Sequence, residues 1–88
     1  MIYNSTIGAI ELSTLIRLYP AVVVDMHGEV AEMSLEWTEL YGDKVKLLKY
    51  ILVFDYTKPG EDIKNKKVLE FPTKEALMVC MQEVAQLF

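Results

Sequence analysis

A chain of 88 residues has room for one domain, residues 1–88, and buries only about 60–65% of the surface its unfolded form exposes. The hydrophobic content of 52% excludes a disordered polypeptide, yet no apolar run approaches the roughly 20 residues of a membrane span. A net charge of −4 speaks against general nucleic-acid binding, which draws its affinity from neutralising phosphates.

The opening segment, MIYNSTIGAIEL, has no basic stretch followed by an apolar core, and Cys80 is the only cysteine. The expectation is a reduced, cytoplasmic protein with no membrane contact.

Ile7–Leu12 suits a first strand, loosened at its start by Asn4, Ser5 and Gly8. Leu15–Tyr19 is extended again. Pro20 has no N–H for a ladder, so it begins the next strand or lies on an edge. Ala21–Asp25, with three consecutive valines, is a strand because β-branched side chains suit a pleated surface. Met26-His27-Gly28-Glu29 then makes a tight hairpin, Gly28 supplying a positive φ.

Glu29–Tyr41 admits two periodicities. Val30, Met33, Trp37 and Leu40 fall at helical spacing, whereas Glu32–Thr38 alternates without error as a half-buried strand does. A helix here would put Leu35 on its polar side and has no good N-cap, and the hairpin needs a partner strand. The expectation is therefore a strand across Glu29–Tyr41, followed by a turn at Gly42-Asp43.

Lys44–Tyr56 stays apolar on both faces when drawn as a strand. Leu48, Tyr50, Leu52, Phe54 and Tyr56 form one set, and Val45, Leu47, Ile51 and Val53 the other, interrupted by Lys49 and Asp55. A strand with two apolar faces belongs at the centre of a fold. Thr57–Lys67 is a polar loop with a turn at Pro59-Gly60, and Val68–Phe71 returns antiparallel. Thr73 caps a helix over Lys74–Phe88 whose stripe is Leu77, Cys80, Met81, Val84, Leu87 and Phe88.

Strands first and one terminal helix make an α+β chain with an antiparallel sheet of four to five strands. A helix is about 10 Å wide and strands lie about 4.8 Å apart, so one helix covers two strands. Either the sheet curls into a partly closed barrel, or a second copy covers the remaining apolar face, and a homodimer is the simpler solution.

Charge is segregated along the chain. Asp25–Asp43 carries six acids and no cation, and Lys44–Lys67 then carries seven lysines. The acid series invites a divalent metal, but in a strand Glu32 and Glu36 would lie about 13 Å apart. His27 has no nucleophile near it in sequence and belongs to a turn. Cys80, in mid-helix, is core filler rather than a reactive thiol. Trp37, with Tyr41, Tyr50 and Tyr56, suits core or interface packing better than base stacking, given the surrounding acids and a single Arg.

No catalytic, cofactor or metal residues are assigned. The expected function is a small non-enzymatic interaction module that self-associates as a homodimer, with room for a further protein partner. Tyr50, Leu52, Phe54 and Tyr56 are its candidate core or interface residues, and Trp37 its candidate anchor. The competing class is a small-molecule-binding domain with a pocket between the C-terminal helix and the sheet.

Overall fold

The computed structural model describes all 88 residues as an α+β fold. A hairpin of β1 (Ile2–Ser5) and β2 (Gly8–Glu11) precedes a four-stranded antiparallel sheet of β3 (Arg17–Met26), β4 (Glu29–Met33), β5 (Lys46–Asp55) and β6 (Lys66–Phe71). The spatial order is β4-β3-β5-β6, so the two-faced strand is central, as its composition demands. Helix α1 (Leu35–Tyr41) and a 3-10 turn (Gly42–Lys44) connect β4 to β5, and α2 (Lys74–Ala85) closes the fold. The sheet does not close into a barrel.

Local chemistry explains each joint. The β3–β4 turn has φ of 55° at His27 and 93° at Gly28, the paired positive values of a type I′ hairpin. The Gly28 N–H donates to Asp25 Oδ1 at 2.8 Å. Thr73 accepts from the Ala76 N–H at 3.1 Å and starts α2 where Pro72 has ended β6. Pro20 sits inside β3, opposite Leu52, but beyond the end of β4, whose pairing stops at Val22–Met33. Its missing N–H thus falls on an edge stretch.

The strand expected across Glu29–Tyr41 ends at Met33. Ser34 is the N-cap that the sequence reading lacked: its hydroxyl accepts from the Trp37 N–H at 3.0 Å, and α1 follows at once. The segment satisfies both periodicities in turn, strand to Met33 and helix from Leu35. The β1–β2 hairpin was only half anticipated. Its Ile2–Ser5 arm pairs with Gly8–Glu11, and the Ser5 hydroxyl ties the turn by accepting from the Ile7 N–H and donating to the Gly8 carbonyl.

Residues 18, 20 and 22 of β3, 50, 52 and 54 of β5, and Leu69 and Phe71 of β6 share the sheet's inner face. Ile10, Leu52, Phe54, Leu69, Leu77 and Val84 fill the main core between that face, α2 and the hairpin. A bulge modifies the two-set pattern of β5. Val23 pairs with Lys49 but Val24 with Leu47, so Leu48 has no cross-strand partner and Leu47 crosses to the inner side. Leu48 is consequently 44% exposed, and Phe88, expected on the helix stripe, is 65% exposed beyond the end of α2.

Phe54 has no exposed surface. Phe54→Ala is expected to lower unfolding free energy by about 3–5 kcal/mol in urea titration, against about 1 kcal/mol or less for Leu48→Ala at the bulge.

Candidate functional site

The outer face of the sheet carries no helix or loop, and its register builds a surface of mixed character. Val30, Val23, Ala21, Ile51, Val53 and Val68 make an apolar band running obliquely from β4 to β6. Only its ends are open, with Val30 67% and Val68 38% exposed; Ala21, Val23, Ile51 and Val53 are buried. Of the two expected ways to cover this face, the barrel is not formed, and the centre of the band is already dry within one chain. Tyr19, next to Ala21 along this face of β3, packs against these four buried residues.

The frame is specific. Lys49 pairs with Glu70, the Lys66 ammonium donates to the Tyr19 hydroxyl at 3.0 Å, and the Arg17 guanidinium lies 4.8 Å from the centre of the Tyr19 ring. Hydrogen bonding to Tyr19 raises the Lys66 pKa. Asp55, opposite both Arg17 and Lys66, is the one buried charged residue. Its carboxylate accepts the Thr57 N–H at 2.9 Å, which holds its pKa below the usual range, with Lys66 and Arg17 adding to the effect. No buried side-chain nitrogen or oxygen is left without a partner.

The five candidate residues do not converge. Leu52 and Phe54 are fully enclosed in the core. Tyr50 and Tyr56 sit half-buried at its margin, where the Tyr56 hydroxyl donates to the Glu11 carbonyl at 2.6 Å. Trp37 lies on α1, its ring centre 5.5 Å from that of Tyr41. None of the five is on the outer face. The sequence signal for the residues that frame that face is the alternation Lys66-Val68-Glu70, which the polar composition of Thr57–Lys67 masks by placing Lys66 in the loop.

A second concavity lies on the inner side. Leu18, Pro20, Leu52, Met81, Ala85 and Phe88 line an apolar groove of about 270 Å³ between α2 and the half of β3 that β4 leaves uncovered. His27 stands exposed at the hairpin tip. No three His, Cys, Asp or Glu side chains are grouped as metal ligands, and no helix is long and apolar enough to cross a membrane. Compared with known proteins, the chain matches no family model, no curated protein and no solved structure.

Cys80 is buried on α2, and its sulfur lies 3.3 Å from the Tyr3 hydroxyl. That hydrogen bond, with burial and the nearby Cys80 and Glu83 charges, pushes the Tyr3 pKa up to about 12. Burial likewise raises Cys80. A thiol held protonated is a packing group rather than a nucleophile.

Because the folded state holds the Tyr3 proton more tightly than the unfolded chain, its contribution is complete below pH 10 and is lost as pH rises toward 12. Denaturant titrations across that window should show stability falling with pH, and less steeply for Tyr3→Phe, in which Cys80 still titrates. Equal slopes would contradict the assignment.

Proposed function

We propose that this chain is a small, non-enzymatic, cytoplasmic interaction module that self-associates through its sheet. The observation that carries this reading is the outer face: four strands without a covering layer, crossed by an apolar band that is open at both sheet edges. A domain of this size has a thin stability margin, and a second copy extending or covering the sheet adds buried area without new sequence. The ionisable groups described above are engaged in packing, capping and edge contacts, which supports binding rather than turnover.

Sedimentation equilibrium should give twice the 10.1 kDa chain mass, and the melting temperature should rise with protein concentration. A single-chain mass at every concentration, with an invariant melting temperature, would overturn the reading.

The apolar groove beside α2 favours a second function, capture of a small hydrophobic ligand. Its volume of about 270 Å³ falls just below the roughly 300–1,000 Å³ typical of ligand sites, which suits only a small ligand. A thermal-shift panel of small aromatic and short-chain aliphatic compounds tests it. Stabilisation that Met81→Lys abolishes would support ligand capture, whereas no shift with any member would count against it.

A further inference from the structure

The outer edge of β6 has no ladder partner: Lys66–Phe71 pairs with β5 alone, and no other backbone hydrogen bond reaches it. We propose that this edge is the self-association surface, and that its occupant is β6 of a second copy, paired antiparallel about a two-fold axis between the two copies of Val68. The inference rests on the self-association reading above and gives it a place and a register.

Geometry and charge select that register together. Two antiparallel edge strands joined into one continuous sheet are related by a two-fold axis normal to the sheet, so the outer face of one copy continues into the outer face of the other. Lys66, Val68 and Glu70 all lie on that face, opposite Asp55, Val53 and Ile51 of β5. Directly opposed residues must then come from the same face, so the axis lies midway between two copies of one residue, which face each other across it.

Centring on Lys66 or Lys67 sets a lysine against its own copy, and like charges directly opposite destabilise a sheet. Centring on Leu69 leaves Glu70 opposite Val68 and forms no ion pair. Centring on Val68 sets Lys66 opposite the copy's Glu70, repeats the pair by symmetry, and brings the two Val68 side chains together on the axis. Each Glu70 then stands between Lys49 of its own chain, its partner already, and Lys66 of the copy. The half-open Val68 is covered, and the two apolar bands become one, running across eight strands.

The other free edge competes less well. Setting β4 of one copy against β6 of the next matches Glu32 with Lys66 and Val30 with Val68 but makes a single ion pair, with Glu70 opposite Gly28. That contact is head-to-tail and propagates into an open polymer, while the β6 pair closes at two chains. Paired lysines on an edge strand repel unmatched strands, and the copy's Glu70 answers Lys66.

Charge exchange tests the register. Lys66→Glu and Glu70→Lys each set like charges in both opposed positions and should weaken the dimer by about tenfold or more in sedimentation equilibrium at low salt. Mixing the two variant chains restores opposite charge at both positions, so a heterodimer should form as tightly as the parent homodimer. The double variant Lys66→Glu/Glu70→Lys should dimerise by itself. All substitutions are at exposed positions, and circular dichroism of each chain checks the fold.

A parent dimer that neither single variant weakens would overturn the edge assignment and leave self-association standing. Weakened single variants that fail to associate when mixed would overturn the register, as would growth of the parent beyond dimer mass. A parent that stays monomeric would overturn both proposals.

Discussion

The structure depends on a constraint set by one strand. β5 must bury apolar side chains on both of its faces, yet the chain supplies only one full covering layer. Helix α2 and the β1–β2 hairpin meet the inner face, and Leu52 and Phe54 there are completely enclosed. On the outer face Ile51 and Val53 are just as dry, although no element passes over them. Tyr19 packs against them, held by the Lys66 ammonium that donates to its hydroxyl, and Lys49 pairs with Glu70 on the same face. A surface ion pair of this kind contributes little energy by itself.

This arrangement explains which parts of the fold were legible in the sequence. β5, the valine strand, the Gly28 hairpin and the Thr73-capped helix each carried a local signal that agreed with their tertiary role. Where two signals overlapped, the prediction failed. Glu32–Thr38 alternates perfectly, but Ser34 stops the strand and caps a helix whose residues were already at helical spacing. The alternation beyond Met33 is incidental, since Leu35 and Trp37 pack as helix residues. The Ile2–Ser5 strand lacked an Asn-Gly or Asp-Gly turn signal and is held by a serine hydroxyl instead.

The outer face of the sheet was less legible than the fold, for a physical reason. Hydrophobicity alone points to Trp37, Tyr50, Leu52, Phe54 and Tyr56, and the fold consumes most of these in the core or at its margin. What is left outside is set by register, which a sequence pattern fixes only when both ends of a strand are known. The polar run Thr57–Lys67 hides the first two residues of β6, Lys66 among them. The bulge at Leu48 had the same effect on β5, because one unpaired residue moves Leu47 to the opposite face.

Register also gives the segregated charges a place. Most of the acidic stretch becomes β4 and α1 on one side of the sheet; of the seven lysines, Lys58, Lys64, Lys66 and Lys67 lie in the β5–β6 loop and β6 on the other, and Lys44, Lys46 and Lys49 in the 3-10 turn and β5. Few of these charges meet: Lys49 holds Glu70, and Lys74 holds Glu39 at 2.8 Å, tying α1 to α2. Glu39 is accordingly held below its usual pKa and Lys74 above it, both chiefly through that hydrogen bond. The remainder give the two free edges opposite sign, Glu29 and Glu32 on β4 against Lys66 and Lys67 on β6. In water such charges add little to stability, but they weigh heavily in deciding which strand is accepted beside which. A short acidic edge, followed immediately by α1, offers a partner five residues; β6 offers six and carries its own complement in Glu70. Specificity in a domain without a deep cleft can be written in that order of charges along an edge.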